Sequence, residues 1–188
     1  MIFTELEISG LFLIEPKVIG DGRGYFLESY RDDLFSRNIR SIQFVQDNES
    51  RSTSGVLRGL HYQLPPFAQS KLVRVIEGAV LDVAVDIRSG SATFGRYVAV
   101  ELSAENKKQL FIPRGFAHGF VVLSEAAIFS YKVDNYYSRE HDRGIRWNDP
   151  SLGIDWRVPE RDLILSEKDR KASLISEAEL FPEGQLYE

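Results

Sequence analysis

Cysteine is absent from all 188 residues. That removes disulfides, thiolate nucleophiles and thiolate metal sites together, and it agrees with a reducing, cytoplasmic setting. Long apolar runs are missing as well. Nowhere do about eighteen apolar residues follow one another, and the opening MIFTELEISG has no basic stretch ahead of an apolar one. Neither a membrane span nor an export signal is expected. Positive charge is in deficit, with 23 Lys and Arg against 28 Asp and Glu and a net charge of −5. Without a Lys/Arg-rich run there is no basic field for a phosphate backbone, so nucleic acid is excluded as the expected partner. Histidine occurs three times, as His61, His118 and His141.

What is present describes a globular chain, 43% hydrophobic and 12% aromatic, long enough for a sizeable core. No linker, repeat or low-complexity tract divides it, so residues 1–188 are expected to be one domain. Its middle is written in period two. In KLVRVIEGAVLDVAVDIRSG, Leu81, Val83, Val85 and Ile87 alternate with Asp82, Ala84, Asp86 and Arg88, which predicts a hairpin across residues 71–90 with one face buried. RYVAVEL, KQLFIPRGF, HGFVVLS and AAIFSYKV continue the series, with Pro113, Gly115 and Gly119 at bends. Short strands at this spacing predict an all-β sandwich or barrel. Helical patches are expected near 31–39 and over 166–180, the second opening on a capping box of Ser166 with Asp169.

Several motifs carry potential chemistry. GDGRGYFLE spaces its glycines by two and runs into a strand-like segment, so it reads as a turn and not as a dinucleotide loop. PRGFAH, residues 113–118, matches the second half of a cupin metal pattern. The first half needs two histidines one residue apart, where this chain has His61-Tyr62-Gln63, and two imidazoles without a third ligand do not make a metal site. No metal is expected. Strict alternation in VLRGLHYQ puts Leu57, Gly59, His61 and Gln63 on one face and Arg58, Leu60 and Tyr62 on the other. A strand histidine is often no more than a hydrogen-bonded core residue. Together with His118, Lys71 and Tyr131, however, it completes the set needed to move a proton beside a carbonyl: a base, a cation for the enolate and a weak acid. Spacing alone does not show that these groups converge.

Six segments in order, RGYFLESY, QDNESRSTSGVLRGLHYQ, QSKLVRVIEGAVLDVAVDIR, SATFGRY, FIPRGFAHGF and YKVDNYYSREHDRGIRWNDPSLGIDW, resemble the dTDP-4-dehydrorhamnose 3,5-epimerase family. The resemblance implies a cupin-like jelly roll with short flanking helices and conversion of dTDP-4-dehydro-6-deoxy-D-glucose to dTDP-4-dehydro-L-rhamnose. It further implies no metal or nucleotide cofactor, and a homodimer that shares residues across its interface. By position it makes His61 the base, Tyr131 the acid, Lys71 and His118 the groups around the oxyanion, and Asp169 the carboxylate that orients the base. Arg23, Phe26, Glu28, Gln46, Asp47, Asn48, Arg58, Tyr137, Asp142 and Lys168 fall where the family holds its nucleotide-sugar. Related enzymes that invert only C3 or only C5, and a non-catalytic sugar-nucleotide-binding jelly roll, are the alternatives.

Overall fold

The computed structural model describes residues 1–181. In chain order the strands among them begin with β1 (Ile2–Glu5), β2 (Phe12–Glu15), β3 (Val18–Asp21), β4 (Gly24–Leu27), β5 (Gln46–Thr53) and β6 (Leu57–Gln63). Then come β7 (Lys71–Glu77), β8 (Ala79–Asp86), β9 (Tyr97–Ser103), β10 (Gln109–Ile112), β11 (Phe116–Val122), β12 (Ala126–Val133) and β13 (Asp142–Gly144). The α-helices are α1 (Asp32–Asn38) and α2 (Glu167–Arg170). A six-stranded sheet runs β1-β2-β10-β7-β12-β5, a five-stranded sheet runs β13-β6-β11-β8-β9, and β3 pairs only with β4. From β5 to β12 the chain passes repeatedly between the two larger sheets. The result is an all-β jelly roll.

That passage overturns the hairpin expected at 71–90. β7 pairs with β10 and β12, whereas β8 pairs with β11 and β9, so the bend at Gly78 carries the chain from one sheet to the other. Gly78 has φ +78, and a Cβ there would stand 2.0 Å from the Ala126 carbonyl oxygen; only glycine fits so close an approach. Nor does β8 have a solvated face. Leu81, Val83, Val85 and Ile87 pack with Trp147, Trp156 and Ile175 on the outside of the five-stranded sheet. Val80 and Ala84 meet Val73, Phe120 and Phe129 between the sheets. Asp82 and Asp86, on this inner face, are fully buried, and buried carboxylates need partners to offset their lost hydration. Asp86 finds Arg88 at 2.7 Å, Ser91 at 2.7 Å and Thr93 at 2.5 Å.

The two outer faces are covered differently. Over the six-stranded sheet, α1 sets Phe35 edge-on against Phe111, with ring centroids 5.1 Å apart; burying such a ring contributes about 2–3 kcal/mol. Over the five-stranded sheet lies the C-terminal segment, where the expected helix at 166–180 is reduced to the four residues of α2. Beyond it the helix does not continue, and the chain runs through an isolated bridge into a turn where the Glu177 N–H donates to the Leu174 carbonyl oxygen at 3.0 Å. Ser173 forms a parallel bridge with Ile145, the Ile175 N–H donates to Asp149 Oδ2 at 2.7 Å, and Ile175 and Phe181 are buried. Pairing with the sheet and burying these apolar residues outweigh local helix propensity.

Candidate active site

Gly59 decides which side chains of β6 share a face. Against β11, His61 stands opposite His118 and Arg58 opposite Phe120, so two steps along β11 match three along β6. Such a bulge slips the alternation by one place. Arg58 and His61, which strict alternation separates, consequently line one cavity of about 590 Å³. Gly59 is indispensable to this geometry: its φ is +117, and a Cβ would come within 2.6 Å of both Gly119 Cα and the His118 carbonyl oxygen.

His61 is anchored from below. Its Nε2 lies 2.5 Å from Asp169 Oδ1, and Asp169 Oδ2 accepts a hydrogen bond from Ser166 Oγ at 2.7 Å. Ser166 is the N-cap of α2, its Oγ accepting the Asp169 N–H at 3.1 Å. The Asp169 carboxylate turns to His61 instead of completing a capping box. Burial alone raises the Asp169 carboxyl, but the hydrogen bond and charge of His61 and the Ser166 hydroxyl outweigh it and hold the group below the usual carboxylate range. An ionised Asp169 favours the tautomer with the proton on Nε2, which leaves the Nδ1 lone pair to accept a proton.

A second pair stands beside the first. His118 Nε2 is 2.9 Å from Asp82 Oδ2, with both residues buried. Burial pushes the His118 imidazole down; the Asp82 carboxylate pulls the other way, and Lys71 and His61 add to the lowering. Lys71 reaches across from β7, its Nζ 3.5 Å from the His61 carbonyl oxygen. Burial brings its amine down from 10.5 to about 8 against the attraction of Asp82 and Asp142, with Lys168 also lowering it. The amine stays mainly protonated at neutral pH. Starved of hydration, such a cation gains most when negative charge develops next to it.

The facing wall comes from the six-stranded sheet. Tyr131 of β12 pairs in register with Asn48 of β5, and both line the cavity. Burial raises the Tyr131 phenol more than the Arg58 charge lowers it, so the phenol keeps its proton. Phe120 and Phe129 stack with centroids 4.2 Å apart and give the cavity an apolar side. Arg58 donates to Ser52 Oγ at 3.1 Å, and Gln46 donates to Asn48 Oδ1 at 2.7 Å.

Not every expected site residue joins this group. Asp142 and Lys168 line an adjoining hollow that shares His61 and Asp169 with the main cavity. Lys168 pairs with Asp142 Oδ2, which also accepts the Tyr137 hydroxyl at 3.0 Å. Asp47 points away and pairs with Lys132 at 2.9 Å. Arg23, Phe26 and Glu28 lie apart, on and just after the β3–β4 hairpin: Arg23 bonds Asp21 at 2.5 Å, Glu28 lies 3.7 Å from Arg31, and Phe26 is 64% exposed. Sequence reasoning missed Asp82, read as an outward position of β8, and saw Ser166 only as a cap. The signal for Asp82 was an acid inside VLDVAVD, which a central strand must bury and therefore partner. Among the described residues, no three or more His, Asp or Glu side chains are grouped so that they could hold a metal ion.

Comparison with known proteins gives the arrangement a family. Residues 5–177 match the family model described as dTDP-4-dehydrorhamnose 3,5-epimerase. The chain is 54% identical to the Shigella flexneri dTDP-4-dehydrorhamnose 3,5-epimerase over 182 residues, which cover 96% of this chain and 99% of that one. It is 37% identical to a dTDP-4-dehydrorhamnose 3-epimerase from Streptomyces niveus over 95% of this chain and 86% of that one. Among solved structures, it superposes with a TM-score of 0.91 on a dTDP-6-deoxy-D-glucose-3,5-epimerase from Legionella pneumophila in complex with dTDP-4-keto-L-rhamnose. That pair is 50% identical, with 94% of each chain covered. With its cupin-like jelly roll and a match spanning almost its whole length, the chain belongs to the dTDP-4-dehydrorhamnose 3,5-epimerase family.

Proposed function

We propose that the His61 cavity inverts both C3 and C5 of dTDP-4-dehydro-6-deoxy-D-glucose and so forms dTDP-4-dehydro-L-rhamnose. The observation that carries this is the placing of an anchored imidazole and a protonated phenol on walls from opposite sheets, with a desolvated ammonium lining the same cavity. Both sugar hydrogens flank the C4 ketone, so removing either gives an enolate on the same oxygen. His61 takes the proton through Nδ1, Asp169 stabilises the imidazolium, and Lys71 with His118 supports charge on O4. Tyr131 delivers a proton to the other face. A proton leaves and a proton returns with no net change in oxidation state, so the step calls for no redox cofactor.

Arg58 suits the diphosphate, which a guanidinium binds through two hydrogen bonds. Asn48 and Gln46 on one side, with Tyr137, Asp142 and Lys168 on the other, extend the cleft for the rest of the nucleotide-sugar. The β3–β4 hairpin carries Arg23 and Phe26, leads into Glu28, and exposes Ile19, Tyr25 and Phe26. Such an arm supports a homodimer in which each hairpin enters the partner's cavity. Residues 1–188 then act as one epimerase domain, and a nucleotide-sugar substrate supports a cytoplasmic location.

The test is incubation with the 4-keto sugar in deuterated water. Deuterium at both C3 and C5 of inverted product is expected; label at one carbon identifies a mono-epimerase, and no label a binding module. Tyr131→Phe should still exchange hydrogen through His61 but invert poorly. Inversion of both centres at the wild-type rate would remove Tyr131 from the role of acid.

A further inference from the structure

We infer that Ser166 is a positioning residue for the reaction: its hydroxyl holds the Asp169 carboxylate against His61. The inference rests on His61 being the base proposed above. One hydroxyl makes two contacts with the same residue, donating to Asp169 Oδ2 at 2.7 Å and accepting the Asp169 N–H at 3.1 Å. Main chain and carboxylate are thereby fixed together, and Oδ1 is left for His61 Nε2 at 2.5 Å. Among the described residues Ser166 alone hydrogen-bonds Oδ2. Although Ser166 lines the cavity, its one donor hydrogen is committed to Asp169, so as a donor it serves the dyad.

The hydroxyl dipole points its hydrogen at the pair and stabilises the ionised carboxylate, one of the causes that keep Asp169 below its ordinary range. Removing that donor makes the Asp169–His61 pair hold a proton more strongly. Other charges face the pair: Lys168 of α2, itself paired with Asp142 of β13; Lys71 of β7; and Arg58 of β6. Arg143 and Lys171 line the adjoining hollow, and His118 with Asp82 lies across the β6–β11 ladder. None of these groups is changed by substituting Ser166.

Three variants separate positioning from capping, read by the pH dependence of kcat. A neutral His61 is needed, so activity rises with pH through an acid limb. Ser166→Ala should move that limb up by about half a pH unit. Ser166→Asp still caps α2 but faces Asp169 with a second carboxylate, and should move it further up. Ser166→Thr, which keeps both hydrogen bonds, should restore the wild-type profile. His61→Gln is measured alongside. If it is inactive while the Ser166→Asp profile matches wild type, Ser166 only caps the helix and the inference is overturned. If His61→Gln keeps activity within about tenfold of wild type, His61 is not the base, and the inference falls with that assignment.

Discussion

Replacing Lys71 with methionine should make the protein more stable and nearly inactive at once. The side chain is largely buried, and its amine falls from 10.5 to about 8, with burial the leading cause. At about 1.4 kcal/mol per pH unit, keeping this ammonium in the folded cavity costs roughly 3 kcal/mol relative to the unfolded chain. Since the shift is net, the attraction of Asp82 and Asp142 is already included. The sign follows from a folded pKa below the unfolded one: the cost is fully present below about pH 8, fades between there and 10.5, and is absent above. For a chain of this length 3 kcal/mol corresponds to roughly 6–12 °C, which is the upper bound for the gain in Tm of Lys71→Met. Calorimetry at about pH 7 should show a rise of several degrees that shrinks as pH approaches 10.5. Turnover of the same variant should be lower by about 10²–10³-fold through loss of oxyanion stabilisation. Wild-type kcat should decline above about pH 8 as the amine loses its proton. A Lys71→Met protein that is no more stable near neutral pH, or a wild-type rate still rising well above pH 8, would refute this account.

Gly59→Ala should destabilise the fold by several kcal/mol, because its Cβ meets backbone atoms at 2.6 Å where φ is +117; unchanged urea unfolding would contradict the bulge geometry. Shortening the hairpin between Val18 and Leu27 should give a monomer by sedimentation that binds dTDP weakly, whereas an intact, active dimer would remove the hairpin from the shared site. Asp169→Asn keeps the shape of the dyad but removes the charge that stabilises the imidazolium, at about 4 kcal/mol for close charges near a protein surface. Proton exchange at C3 should therefore slow by about 10²-fold or more, and exchange within threefold of wild type would show that the charge is not used.

The sequence by itself determined the class of the chain and the parts of its site. Alternation at period two made it all-β, and the missing thiols narrowed the available chemistry. His61, Lys71, Tyr131 and His118 stood out because together they supply a base, a cation and a weak acid, and the family resemblance gave them roles. What the tertiary structure decided was which of them meet. Alternation is a local rule, and Gly59 breaks it: a bulge is defined by the partner strand, so only the ladder with β11 shows Arg58 and His61 on one face. Asp82 looked solvent-facing for the same reason, since a strand's pattern cannot state whether a second sheet covers its polar side. The segment after Ser166 has helical periodicity, yet Ile175 and Phe181 gain more by packing on the five-stranded sheet than further helical turns could provide. That choice leaves Asp169 in a single short turn under His61. Burial, the cause of the lowered Lys71 amine, is likewise a property of two sheets closing on each other, and no single stretch of chain contains it.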